Sequence, residues 1–146
     1  MGIAVTDDHR ELAGVASGFL TAQQARAASR ELLDAAEETR PEFWDRLADL
    51  GWLGLHIAEE HGGSGFGLPE LVVVVEQLGR AVAPGPFLPT VIASAVIAAN
   101  GSTEQQGRLL PGLLDGTVTA GIGLAGEVRV QRGVAAGDGA IVLGAG

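Results

Sequence analysis

Apolar residues return every three or four positions along most of the chain up to Gly116, and beyond it the rhythm shortens. Asp8 followed by Glu11 has the form of an N-cap with its capping-box partner, and Leu12, Val15 and Phe19 recur at helical spacing, which predicts a first helix from about Asp8 to Phe19. Thr21 is placed to cap a second, Ala-rich helix through Glu38, with Leu32 and Leu33 on one side and Glu31, Asp34, Glu37 and Glu38 on the other. Its apolar stripe is thin, as on a surface helix or one that packs against something outside the chain. Pro41 opens a short helix with Phe43, Trp44, Leu47, Ala48 and Leu50 on its apolar face and Gly51 as the left-handed stop. Trp52 to Ile57 is apolar and irregular.

Pro69 opens the next helix, in which Leu71, Val74, Val75, Leu78 and Val82 share a face; four consecutive valines suit a strand, but the longer period predicts a helix. Leu88 to Asn100 forms an uncharged helix, and Ser102 with Gln105 caps another that Pro111 breaks or kinks before Gly116. Three short segments, "VTAGIGLA", "EVRVQ" and "AIVLG", are separated by Gly and Asp and read as strands with hairpin turns. The predicted fold class is mainly α: a helical bundle over residues 1–116, then the first strands of a β-domain over 117–146. Such a short β segment cannot close a sheet with its own core.

Composition narrows the function. Hydrophobic residues make up 47% and aromatics 4%, so the expected core is aliphatic. All nine basic residues are Arg against 18 acidic ones, a formal charge of −9, and no basic cluster offers a nucleic-acid face. There is no Cys, hence no disulfide or thiolate metal site, and with no signal-like start the expected compartment is the cytoplasm. Residues 81–103 carry no charge, but Pro84, Pro86 and Pro89 leave about a dozen helical residues, roughly 18 Å against a hydrocarbon layer of about 30 Å. A membrane span is not expected.

The stretch "EEHGGSGFGLPE", residues 59 to 70, places glycines before a helix, where backbone N–H groups can hold an anion. It lacks the Gly-Lys-Ser/Thr ending of a phosphate loop and the spacing of a dinucleotide fingerprint, and Glu59, Glu60 and Glu70 oppose an anion. The reading is a tight turn in which Gly62, Gly63, Gly65 and Gly67 permit positive φ. His61 and His56 lie five apart in irregular chain, which predicts no metal site. His9 reads as a solvated helix-start residue, and Arg129 and Arg132 as surface charge.

Taken together, "PEFWDRLADLGWLGLHIAEEHGGSGFG" and the following "VVVVEQLGRAVAPGPFLPTVIASAVIAANGSTEQQGRLLPGLLDGTVTAGIGLA" resemble the acyl-CoA dehydrogenase family over roughly residues 41 to 125. Ala58 stands where that family usually has Pro. The resemblance implies an N-terminal α-domain leading into a middle β-domain, FAD as cofactor, an acyl-CoA thioester as substrate and electron-transfer flavoprotein as acceptor. It implies removal of the α-proton by a glutamate and of the β-hydride by the flavin, with no catalytic residue in this chain. The helix after the Pro-rich joint would line the acyl cavity, placing Phe87, Leu88 and Val91 beside the substrate.

The flavin motif departs from the family. Leu124 and Ala125 occupy the cofactor-contacting position, and its usual Thr becomes Ala125 or Gly126, with no Gly-Ser-Asp following. This resembles the partner subunit of two-component bacterial enzymes, in which one subunit keeps the chemistry and the other completes the assembly. A homo- or hetero-oligomer with another such subunit is the implied state, and a non-catalytic scaffold that packs on a catalytic partner is the alternative.

Overall fold

The computed structural model describes residues 5–33, 35–36 and 39–143. Among these residues six α-helices come first: α1 (Asp7–Ala22), α2 (Ala25–Leu32), α3 (Trp44–Asp49), α4 (Leu68–Ala81), α5 (Phe87–Asn100) and α6 (Thr103–Leu114). Two strands, β1 (Ile122–Gln131) and β2 (Val134–Leu143), follow as one antiparallel hairpin.

The N-cap of α1 is Thr6, with His9 as its reciprocal partner, and not Asp8 with Glu11. Any side chain that offers an acceptor at the third helical position can close this box, and here an imidazole nitrogen does. Thr21 lies inside α1 and donates to the Ser17 carbonyl at 2.8 Å. The chain turns instead at Gln24, with φ +52, and of α2 only Ala25 is buried. Of the acidic residues expected on the second helix, Asp34, Glu37 and Glu38 lie outside the described residues. Gly51 takes the left-handed conformation expected of it, φ +73. Val82 ends α4 as an exposed cap at φ +52 rather than joining its buried face.

Pro111 does not break α6. It lacks the N–H that would reach back one turn, yet its own carbonyl still accepts from the Asp115 N–H at 3.0 Å and the helix runs on to Leu114. The capping box of Ser102 and Gln105 forms as expected.

The core centres on α1, α3, α4 and the start of α5, where Leu20, Trp44, Leu47, Trp52, Val74 and Val91 are buried together. It is less aliphatic than composition suggests. Phe43, Trp44, Trp52 and Phe87 are all buried in it, and Phe19 meets Phe43 and Trp52 edge-on at centroid distances of 6.2 and 5.3 Å. Few aromatics therefore carry much of the contact area, since each buries far more surface than Ala or Val. The Trp44 indole donates to the Gly116 carbonyl at 2.9 Å, and Arg40 donates to the same oxygen at 3.0 Å, which ties the end of the helical part to α3.

The hairpin has two strands where three short ones were expected. Arg132 and Gly133, with φ +51 and +78, form its two-residue turn, as the signs of a type I′ turn require. The register slips around Ala125, where Gly126 has φ +125. Val128 and Val130 face the same side as their partners Gly137 and Ala135, and each is 70% exposed.

Candidate functional site

The glycine loop answers its own question through its amides. The N–H groups of Gly62, Gly63, Ser64, Gly65 and Phe66 donate to the carbonyls of Glu59, Ala58, Gly54, Ile57 and Leu55, at 2.9 to 3.1 Å. Gly67 donates to the Glu70 carboxylate at 2.9 Å. No amide from 62 to 67 is left to face an anion. Gly62 and Gly65 do take positive φ, +85 and +69, but Gly63 and Gly67 do not. Gly63 is required for a different reason: a Cβ there would stand 2.0 Å from the Ile57 carbonyl oxygen. The loop folds onto the segment that precedes it and thereby fixes where α4 starts.

Just before the loop, His56 is half-buried and reaches α5. Its Nε2 lies 3.0 Å from the Val91 carbonyl and 3.3 Å from Ser94 Oγ, and Ser94 also donates to that carbonyl at 3.0 Å. A carbonyl can only accept, so Nε2 carries the proton and Nδ1 is a bare acceptor, buried without a partner. Burial pushes the imidazole below its ordinary range and keeps it neutral, against the opposing hydrogen bond to Val91. On the same inner face of α5, Thr90 Oγ1 accepts the Ala120 N–H at 3.2 Å. Side chains thus stitch a helix that has no charge of its own to the chain on either side of it.

Of the residues proposed beside a substrate tail, Phe87 and Val91 are buried in the core, while Leu88 is 44% exposed. Leu88, Ile92 and Val96 follow one another at four-residue intervals and form an open apolar stripe on the outer side of α5. Around the same helix, a groove of about 420 Å³ is lined by His56, Ile57, Ala58, Leu68, Ala95 and Ala99. The helix therefore presents Leu88 outward, with Phe87 and Val91 holding it from behind.

Leu124 and Ala125 lie within β1, at the register slip. Neither strand of the hairpin contains Ser or Thr, so no side-chain hydroxyl is available there for a flavin. The residues present do not fit the hydroxyl-based contact. His61 pairs loosely with Glu60 at 3.8 Å, and among the described residues no cluster of three or more His, Asp or Glu could hold a metal. Arg129 pairs with Glu127 at 3.4 Å on the exposed hairpin. Among the described residues no helix is long and apolar enough to cross a membrane.

One pair of side chains escaped sequence reasoning. His9 is buried, not solvated: Nδ1 accepts the Thr6 N–H at 3.2 Å and Nε2 meets Glu70 Oε1 at 2.9 Å. The sequence signal was a Thr three residues before His9, matched by Gly67 three before Glu70.

Residues 6–117 match the family described as acyl-CoA dehydrogenase, N-terminal domain. Among curated proteins, acyl-CoA dehydrogenase FadE12 of Mycobacterium tuberculosis is 38% identical over 86 residues, 56% of this chain and 22% of that protein. The ChsE4–ChsE5 complex of M. tuberculosis contains a chain of similar fold, with TM-score 0.72 and 30% identity over 82% of this chain and 33% of that one. A variant of the Tcur3481–Tcur3483 steroid ACAD gives TM-score 0.69 and 35% identity over 80% of this chain and 32% of its own. The chain spans about a fifth to a third of the length of these relatives.

Proposed function

The chain belongs to the acyl-CoA dehydrogenase family, and from that premise we propose that it forms the N-terminal helical part of an enzyme that dehydrogenates an acyl-CoA thioester between its α and β carbons. The observation that carries this reading is the ordered helical part itself: the loop, the Pro-rich joint and α5 follow one another within the matched residues 6–117. In this proposal residues 1–116 are the helical domain and 117–146 begin the middle β-domain.

In the complete enzyme the oxidising power would come from FAD held by residues other than these. This chain's part is geometric. The stripe of Leu88, Ile92 and Val96 forms an apolar wall for the acyl group, and the buried Phe87 and Val91 fix its position. Excluding water along such a wall strengthens the hydrogen bonds that stabilise enolate-like charge on the thioester oxygen elsewhere in the site. The base lies outside these residues.

The hairpin, with no hydroxyl at Leu124, Ala125 or their neighbours, favours the subunit that completes an assembly over the one that holds the flavin. Two of the similar structures are two-component enzymes by name, which supports a hetero-oligomer with an unlike acyl-CoA dehydrogenase subunit. Electron-transfer flavoprotein in the cytoplasm is the acceptor in this reading. A purely scaffolding role on a catalytic partner is the second reading, favoured by the same hairpin.

The test is reconstitution with the unlike subunit, followed by acyl-CoA-dependent reduction of a redox dye. Activity that needs both chains, and a shift in chain-length preference for Leu88→Trp, support the wall. Stoichiometric flavin on this chain alone would refute the subunit assignment. Unchanged activity of the partner without this chain would refute both readings.

A further inference from the structure

His9 and Glu70 take no part in the reading above, and their arrangement stands independently of it. We infer that His9 is a proton-operated cap: its neutral ring ties the first turn of α1 to the start of α4, and a second proton on the ring unties Thr6 from it.

Hydrogen-bond chemistry fixes the tautomer. The Thr6 amide can only donate, so the Nδ1 it reaches at 3.2 Å must carry a lone pair. The ring's single proton is therefore on Nε2, which donates to Glu70 Oε1 at 2.9 Å. The other carboxylate oxygen, Oε2, accepts the Gly67 N–H at 2.9 Å. One unbroken series of hydrogen bonds thus joins the N-cap of α1 to the N-cap of α4.

The two helices run side by side in the same direction. Their starts meet at His9 and Glu70, and their far ends meet where Ser17, Leu20 and Thr21 line a common cleft with Gln77, Arg80 and Ala81. Parallel helices bring their partially positive ends together, and a carboxylate with a neutral ring suits that place. A proton on Nδ1 sets one N–H against another and adds positive charge between two helix N-termini. The ring keeps its bond to Glu70, now as an ion pair, so the contact that opens is the Thr6 cap.

The surrounding charges do not change this direction. On α1, Arg10 pairs with Asp7, while Asp8 and Glu11 are exposed. On α4, Glu70 alone faces His9; Glu76 and Arg80 pair with each other farther along. In the preceding loop Glu59 lies against Gly65, and Glu60 is beside His61.

The experiment is NMR of the ¹⁵N-labelled full chain, following imidazole nitrogens and amide exchange downward from pH 8 until the His9 ring is protonated. The expected result is an Nε2–H tautomer at pH 8, and protection of the Thr6 and His9 amides that falls at least about threefold as the ring titrates, the loss of one ordinary hydrogen bond. Protection of Gly67 should stay constant. His9→Gln supplies the usual third-position capping side chain with nothing to titrate, and should abolish the pH dependence. An Nδ1–H tautomer at pH 8, Thr6 protection that does not follow the ring, or the same fall in His9→Gln would overturn the proposal. Should His9→Gln fail to fold, the tautomer and the co-titration in the unaltered chain still decide it.

Discussion

At the residue scale, side chains and carbonyls meet at distances that leave little choice. Gly63→Ala would drive a methyl group into the Ile57 carbonyl 2.0 Å away, so the loop must move; a loss of about 2 to 4 kcal/mol in urea unfolding is expected. Two titrations act on stability from separate windows. The His9 hydrogen bond, with help from backbone amides, holds the Glu70 carboxyl below its ordinary 4.5, so its contribution is complete above that value and is lost as pH falls through the lower folded one. Glu70→Gln should flatten the acid limb of a stability profile below pH 4.5. His56 is pushed below 6.5 by burial, so under that pH the unfolded chain binds a proton that the folded chain does not, and stability declines. His56→Gln should lose less stability than the parent as pH falls below 6.5, by the same unfolding measurement.

At the element scale, propensity and capping made most helices legible, because the apolar period and the Pro, Gly and Ser signals agreed for α3 through α5 and for the start of α6, where only Pro111 misled. What escaped was set by partners distant in sequence. Thr6 prevailed over Asp8 as a cap because His9 is itself held by Glu70, 61 residues away, and no local rule registers that. Gln24 in the left-handed region ended α1 without a Gly or Pro to announce it. The loop was legible as a turn, though only the coordinates separate glycines needed for φ from the one needed for space. Gly14 and Gly18 are a different case, since an added Cβ at either meets nothing within 4 Å. Gly14→Ala and Gly18→Ala should each raise helix stability by about 0.5 to 1 kcal/mol, read as a higher denaturation midpoint. A loss instead would mean that another surface approaches α1 at that point.

At the scale of the whole molecule, the candidate site was legible as a helix but not as a face. Sequence could place Phe87, Leu88 and Val91 on α5, yet an uncharged helix has no polar side to declare which residues turn inward; Trp44 and the rest of the core decide it. The hairpin has the opposite character. Glu127, Arg129 and Gln131 share one side, and Val128 and Val130 the other, exposed to water over most of their surface. Such a face on a two-stranded sheet promotes association. The isolated chain should self-associate with rising concentration, and Val128→Thr with Val130→Thr should reduce this in sedimentation velocity without moving the thermal midpoint by more than a few degrees.

The bond from the Trp44 indole to Gly116 also equips the protein with an optical gauge. The chain has two Trp and no Tyr, and both indoles are packed in the one core. Ultraviolet emission therefore comes from the centre of the helical part alone, blue-shifted while it is closed. Because the Trp44 bond to the Gly116 carbonyl spans 72 residues, a red shift would signal that the helical core holding both indoles has opened, whatever the hairpin beyond it is doing.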